Sequence, residues 1–215
     1  MQRNSFIVRN AAISILAVNI VFFLLQIIVP GFTESFILVG SDVLSRPWIL
    51  VTSMFLHGGF YHILVNMYML LVFGQLLEQQ IGTKRLLMLY FGSGVLASLL
   101  SVLFYGPKLH ALGASGAIMG IMGTLIILMP SLRLLVFFVV PAPLWMVGIL
   151  YIMLDFFGVL YPSGIGNVAH LAGMFFGLAY GWHLKKVAAK FHRKFSKKMH
   201  MDEFDSDEYL RTGRI

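Results

Sequence analysis

The sequence predicts an all-α polytopic membrane protein with a bundle of six transmembrane helices. Its 215 residues are 59% hydrophobic and only 12% charged, and the mean hydropathy is +0.85. A water-soluble domain cannot hide this much apolar surface in one core. Long apolar stretches alternate with short polar breaks, and about 18 such residues can cross a hydrocarbon layer of about 30 Å. Lipid is therefore the expected solvent for most of the chain.

Six predicted spans lie at residues 11–29, 53–77, 86–105, 115–129, 134–157 and 167–184. The breaks between them are rich in proline and glycine. The first span is too long for the apolar part of a signal peptide and no small-residue cleavage site follows it, so it is expected to remain as a helix. We expect a short terminus at residues 1–10, one membrane domain at residues 11–184 and a tail at residues 185–215.

The distribution of basic residues predicts the orientation of the bundle. With the N-terminus inside, most Lys and Arg of the loops and the whole basic tail also lie inside, and only Arg46 and Lys108 lie outside. The positive-inside rule thus predicts that both termini are cytoplasmic. We expect an integral protein of a bacterial inner membrane.

Composition also narrows the partners. The chain has no cysteine, which excludes disulfides, thiol catalysis and thiolate metal sites. Much of the net charge of +7 lies after residue 184, where a membrane surface is a simpler partner than nucleic acid. The basic tail fits either a helix lying on anionic lipid or a solvated extension of the sixth helix. The acidic stretch that follows is expected to be disordered.

Four polar residues stand at one depth in the predicted bundle: Ser115, His170, His62 and Asn66. Counted at about 1.5 Å per residue from the cytoplasmic helix ends, they lie roughly 22, 21, 24 and 18 Å deep. Polar side chains in a membrane are costly unless they face protein or a water-filled cavity. The fourth span is too short to cross alone, so a short re-entrant loop is expected before it.

Each of these residues also has a plain structural interpretation. An isolated serine in a membrane helix usually bonds to its own backbone, and an isolated histidine usually bonds to a neighbouring helix. His62 and Asn66 are four residues apart and project from one helix face. Convergence of four such residues therefore favours a functional site. A transporter would instead be expected to show repeated halves and acidic residues at the midplane.

Glycines predict close contact between the fourth and sixth helices. Small residues recur every fourth position, at Gly116 and Gly120 and at Gly173 and Gly177, and Gly113 precedes the first pair. Such spacing lets two helix backbones approach closely. This packing would bring the Ser115 hydroxyl and the His170 imidazole within about 3 Å, the distance that a nucleophile and its base require.

Three motifs resemble the rhomboid family of intramembrane serine proteases. They are His57-Gly-Gly-Phe-Tyr-His62-Ile-Leu-Val-Asn66, Gly113-Ala-Ser115-Gly116 and His170-Leu-Ala-Gly173-Met-Phe-Phe-Gly177. The match covers nearly all of residues 10–185. Weaker similarities are Trp48 in the first external loop and the Gly74, Glu78 and Gly82 series.

This resemblance implies a catalytic dyad of Ser115 and His170, without the carboxylate of the usual triad. It also implies that His62, Asn66 and the Ser115 backbone N–H donate hydrogen bonds to an oxyanion. The substrates would be single-pass membrane proteins cut near the outer membrane face, and such a mechanism would need neither a metal nor an organic cofactor. A catalytically inactive relative that binds membrane clients would be expected to lack the serine or the histidine.

Three further expectations depend on helix positions. Asp155 is expected about 33 Å from Arg133 along the fifth helix, near the outer interface and beyond the dyad. Met119 stands where many relatives have an aromatic ring beneath the base. Pro141 and Pro143 are expected to weaken the inner half of the fifth helix, which is a candidate gate for substrates.

Overall fold

The computed structural model describes residues 10–136, 140–161, 166–195 and 211. Within these ranges the chain forms six long helices in the predicted order. They are α1 (Ala11–Ile28), α2 (Phe60–Ile81), α3 (Thr83–Tyr105), α4 (Ser115–Leu128), α5 (Leu144–Leu160) and α6 (Asn167–Phe195). In this part of the chain α1, α2 and α3 are long and apolar enough to cross a membrane, and α4 and α5 are shorter apolar helices. The predicted all-α membrane bundle is confirmed.

Two of the predicted spans begin too early. α2 starts at Phe60 rather than at residue 53, because a 3-10 turn (Ser53–Phe55) and Gly59, with φ of +156°, interrupt the helix before it. The fifth helix starts at Leu144 rather than at residue 134. The preceding residues form an antiparallel hairpin of β3 (Arg133–Val136) and β4 (Val140–Pro143).

The prolines of this hairpin therefore do not weaken α5. Pro141 and Pro143 belong to β4, and α5 begins directly after them. This agrees with the geometry of proline, which lacks an N–H and clashes with the preceding turn inside a helix. The expectation that these prolines loosen the inner half of the fifth helix is wrong.

The loop before α4 is tied to the segment that follows α1. β2 (His110–Ala111) pairs antiparallel with β1 (Leu38–Val39). Deeper in the bundle, the Gly113 N–H donates to the carbonyl of Ser53 at 2.9 Å, and Ala114 is fully buried. The re-entrant loop thus has backbone partners where it enters the protein, as irregular backbone inside a membrane requires.

The segment after α1 contains a short helix (Phe32–Phe36) and a second one (Ile49–Thr52). Arg46 forms an ion pair with Asp42, and its Nη1 donates to the Glu34 carbonyl at 3.2 Å. Trp48 is half exposed. The arginine that precedes the tryptophan therefore anchors this loop.

α4 and α6 pack backbone to backbone along their glycines. A Cβ atom at Gly173 would overlap the carbonyl oxygen of Gly116, and one at Gly177 would overlap that of Gly120. The Thr124 hydroxyl lies 3.0 Å from the carbonyl oxygens of both Gly120 and Gly177. α4 is the most deeply buried helix of the described chain, so it serves as the fixed centre against which α6 is placed.

A buried carboxylate joins three helices at one end of the bundle. Glu78 of α2 is 1% exposed and accepts hydrogen bonds from the N–H groups of Ala11 and Ala12 at 3.0 and 3.1 Å. It also accepts one from the Thr83 hydroxyl at 2.7 Å. A negative charge is favourable at the N-terminus of α1. We call this end of the molecule the basic end, because Lys84, Arg85, Lys185 and Lys186 lie there.

The basic tail begins as a continuation of α6, which runs without interruption to Phe195. Of the two interpretations left open by the sequence, the structure favours the extension of α6 as far as that residue. The remaining basic and acidic tail lies outside the described residues, apart from Arg211.

Candidate active site

Ser115 and His170 lie in hydrogen-bond contact. Ser115 is the first residue of α4 and His170 lies one turn into α6. The Ser115 Oγ and His170 Nε2 atoms are 2.8 Å apart. Close glycine packing of the two helices produces this distance, as the sequence predicts. A serine whose hydroxyl contacts an imidazole is the arrangement of an activated nucleophile and its base.

Asp155 of α5 contacts the other nitrogen of this imidazole. Its Oδ1 lies 3.0 Å from His170 Nδ1, and the residue is 6% exposed. Because an ionised carboxylate only accepts hydrogen bonds, His170 donates its Nδ1–H to Asp155 and keeps its Nε2 lone pair toward Ser115. The expectation of an interfacial Asp155 beyond the dyad is wrong.

The error follows from the start of α5. Counted from Leu144 instead of Arg133, Asp155 stands only about 16 Å along the helix, which puts it at the level of His170. Met119, which stands where many relatives have an aromatic ring, does not hold the His170 ring. That side chain is buried and lines the same cavity, but a carboxylate rather than an aromatic ring holds the His170 ring.

His62 faces the nucleophile from α2. A Cβ atom at Gly113 would lie 3.0 Å from His62 Nε2 and 3.8 Å from Ser115 Oγ. The Gly58 N–H donates to His62 Nδ1 at 3.2 Å, so the neutral imidazole carries its proton on Nε2. This tautomer places the Nε2–H donor on the side of the His62 ring that is nearer to Ser115.

Gly113 does not lie with the glycines that pack α4 against α6. It lies in the loop before α4, not between α4 and α6, and its φ is +124°. Its lack of a side chain leaves room for the His62 ring. The assignment of Gly113 to helix packing is therefore wrong. A glycine at this position allows the His62 ring to come close to the loop before α4.

Asn66 lies one turn further along α2 and is 6% exposed. Its Nδ2 donates one hydrogen to the His62 carbonyl at 3.0 Å. An amide nitrogen carries two hydrogens, and the described chain shows no second acceptor for this one. Asn66 therefore keeps one donor available in the cavity that it shares with Ser115.

Two other histidines lie in the loops before α2 and α4. His57, in the loop before α2, is 2% exposed and its ring lies 5.0 Å from that of His62, edge to face. Burial, with the neighbouring His62, lowers the pKa of His57 to about 4, so its ring is neutral at pH 7. His110 is exposed, and its Nδ1 lies 3.1 Å from the Lys108 carbonyl.

These side chains surround a cavity of about 740 Å³. α2 contributes His62 and Asn66, α4 contributes Ser115, and α6 contributes His170. α5 contributes Tyr151 and Gly158. α3 contributes residues between Gly94 and Tyr105. The cavity therefore has room for a stretch of polypeptide beside the serine, with walls from five helices.

The fold and the site together define a class: polytopic helical membrane proteins in which a serine and a histidine meet inside the bundle. Residues 44–187 match the Rhomboid domain. The chain belongs to the rhomboid family.

Several relatives carry the same family name. The chain is 31% identical over 168 residues to "Rhomboid protein 1, mitochondrial" of Saccharomyces cerevisiae, covering 74% of this chain and 48% of that protein. It is 31% identical over 136 residues to "Rhomboid-like protease 2" of Toxoplasma gondii, covering 62% and 46%. It is also 34% identical over 79 residues to "Inactive RHOMBOID-like protein 8" of Arabidopsis thaliana, covering 37% and 22%. The chain thus spans half or less of the length of these relatives.

One of these relatives is named a protease. Members named inactive also occur, so the activity of this chain depends on its own site residues.

Proposed function

We propose that this protein is an intramembrane serine endopeptidase that cleaves transmembrane-helix substrates near the outer membrane face. The observation that carries the proposal is the 2.8 Å contact between Ser115 Oγ and His170 Nε2 inside the cavity. Both reacting groups are present, which distinguishes this chain from a catalytically inactive client-binding relative.

The reaction starts with transfer of the Ser115 hydroxyl proton to His170 Nε2 as the oxygen attacks the scissile carbonyl. Asp155 accepts the Nδ1–H throughout and stabilises the imidazolium that forms. His170 then gives its proton to the leaving amine. Water entering the cavity from the outer side hydrolyses the acyl-enzyme, with His170 again acting as base.

The negative charge on the carbonyl oxygen needs donors that are already in place. The proposed donors are His62 Nε2–H, the second Nδ2–H of Asn66 and the Ser115 backbone N–H. The last is free of helical bonding because it belongs to the first turn of α4, whose positive end also favours an anion. One such donor contributes about 3 kcal/mol to transition-state stabilisation.

Substrates are proposed to be single-pass membrane proteins that enter the cavity between α2 and α5. Large apolar side chains are exposed on both helices, among them Leu64 and Tyr68 on α2 and Met153 and Phe157 on α5. Such surfaces suit contact with lipid or with a substrate helix.

Cross-linking tests this route, and the absence of natural cysteine makes the test specific. A pair of cysteines at Val65→Cys and Tyr151→Cys, joined by a short bismaleimide, is expected to block cleavage of a transmembrane substrate, with each single variant as control. Unchanged cleavage in the cross-linked enzyme would show that substrates enter elsewhere.

The membrane of residence is part of this proposal. The orientation with both termini inside follows from the basic residues, and a bacterial inner membrane is the proposed location. The yeast relative is named as mitochondrial, but that name gives the location of the yeast protein and not of this chain.

Labelling with a serine-directed fluorophosphonate tests the whole proposal. Purified wild-type protein is expected to be labelled, whereas Ser115→Ala and His170→Ala are not. Ser101→Ala is the matched control, because Ser101 lines the same cavity and its hydroxyl donates to the carbonyl of its own helix at Ala97. Labelling that survived Ser115→Ala would contradict the proposal, and a folded wild type without labelling would favour a client-binding role.

A further inference from the structure

A second pocket, of about 440 Å³, lies at the basic end between the start of α3 and residues 180–187 of α6. Three cationic side chains, Lys84, Arg85 and Arg211, line it together with the imidazole of His183. Within the described chain no carboxylate lines it. It stands about 20 Å along α6 from His170, so it is separate from the proposed active site.

The position of Arg211 is evidence that this pocket takes an acceptor. Its backbone carbonyl packs against Gly82, where φ is +79° and an added Cβ would overlap it. Its Nε is buried and has no hydrogen-bond partner within the described ranges. Buried donors in folded proteins are almost always paired, so a ligand oxygen is the missing partner.

The surroundings of the pocket place it at the level of lipid headgroups. Trp182 on α6 is 55% exposed, and Lys186 Nζ lies 5.5 Å from the centre of its ring. Exposed tryptophan and lysine at the end of a membrane span, here the predicted sixth span, are typical of the membrane interface. Apolar side chains complete the pocket wall, with Met88 58% exposed on α3 and Val187 on α6.

We propose that this pocket binds the headgroup phosphate of an anionic phospholipid from the leaflet at the basic end. Lys84, Arg85, Arg211 and His183 donate to the phosphate oxygens, and an acyl chain lies along Met88 and Val187. A basic pocket between two helices, beside an exposed apolar surface, fits both parts of such a lipid. The proposal is independent of the protease function.

Native mass spectrometry of the full-length protein in detergent tests this site. Phosphatidylglycerol is the anionic probe and phosphatidylcholine is the zwitterionic reference. The wild type is expected to bind phosphatidylglycerol at least tenfold more tightly. Since each basic residue near a membrane contributes about a fivefold change in affinity, Lys84→Gln with Arg85→Gln is expected to weaken that binding by about 25-fold.

The matched control is Lys185→Gln with Lys186→Gln, which removes the same charge at the same end but outside the pocket. It is expected to change the affinity by less than about threefold, since neither side chain lines the site. Equal losses in the two double variants, or no preference for the anionic lipid, would overturn the proposal. Lys84→Gln and His183→Gln, single changes at exposed positions, test the site should the double variant misfold, and each is expected to weaken binding.

Inorganic phosphate distinguishes a lipid from a soluble ligand. At millimolar concentration it is expected to leave phosphatidylglycerol bound, because it lacks the acyl chain. Full displacement of the lipid would mean that the pocket takes free phosphate, and would contradict the proposed lipid site.

Discussion

Asp155 determines how the proposed base is held. Its carboxylate contacts His170 Nδ1 at 3.0 Å while Ser115 contacts Nε2 at 2.8 Å. The three side chains come from α5, α6 and α4, so the geometry depends on the packing of all three helices. The motif resemblance implies a dyad, whereas the contacts form a linear series of carboxylate, imidazole and hydroxyl.

Replacement of Asp155 by asparagine tests this positioning role. The amide has the same shape but no charge and can stabilise the wrong tautomer of His170, so kcat is expected to fall by about 10²-fold or more. KM and the unfolding temperature are expected to change little, because Asp155 is not among the residues that line the cavity. Both kinetic constants are measured with a transmembrane substrate in detergent. Tyr151→Phe, one helical turn away, is the control, and an unchanged kcat in Asp155→Asn would rule the role out.

His62 gives a second prediction at the scale of one residue. Its Nε2–H is proposed to bind the oxyanion, so His62→Ala is expected to lower kcat by about 10²-fold. The matched control is His110→Ala, which removes an exposed imidazole from the loop before α4. Single-turnover cleavage separates the chemical step from binding. Comparable losses in the two variants would contradict a specific role for His62.

Among the elements, α5 shows where prediction from sequence fails and why. Counting depth along helices places Ser115, His170, His62 and Asn66 in one layer, because the ends of their helices are marked by breaks that periodicity detects. The start of α5 is hidden in an apolar stretch that runs through β4. Pro143 was the available signal, since proline is tolerated before a helix but not within it.

The π-helical turn at Leu70–Gly74 in α2 has no comparable signal in the sequence. At the end of this turn Gly74 faces α1, where an added Cβ would lie 3.1 Å from the Ala12 Cβ. The Gly58 N–H that fixes the tautomer of His62 was equally hidden, because it depends on the backbone of a loop and not on residue type.

The contact between α4 and α6 is predicted to control both stability and catalysis. Gly173→Ala would place a methyl group on the Gly116 carbonyl, which cannot move without displacing α4. Overpacking of this kind costs about 1–3 kcal/mol, and separation of the helices would lengthen the contact between Ser115 and His170. Both the unfolding temperature and the rate of fluorophosphonate labelling are expected to fall.

Gly92→Ala on α3 is the matched control for this substitution. The new methyl group would meet only the end of the Phe176 ring, at 3.3 Å, and a side chain can adjust more easily than a helix backbone. Little change in stability or labelling is expected. Equal effects of the two substitutions would mean that the glycine contact has no special importance.

Charge is distributed unevenly over the whole molecule. The basic end carries Lys84, Arg85 and the lysines of α6, while at the opposite end Arg46 is paired with Asp42. The proposed active site opens toward that opposite end, and the proposed lipid pocket lies at the basic end. The orientation of the protein therefore decides which face of the membrane supplies water to the active site.

Single cysteines test the orientation, since the chain has none of its own. Leu44→Cys lies at a residue that is 98% exposed in the loop after α1, and Lys190→Cys lies on the exposed extension of α6. Because basic segments stay on the cytoplasmic side, a membrane-impermeant maleimide is expected to label Leu44→Cys in intact bacterial cells. Lys190→Cys is expected to react only after permeabilisation. The reverse pattern would place the basic end outside, and would require the proposed site to receive its water from the cytoplasm.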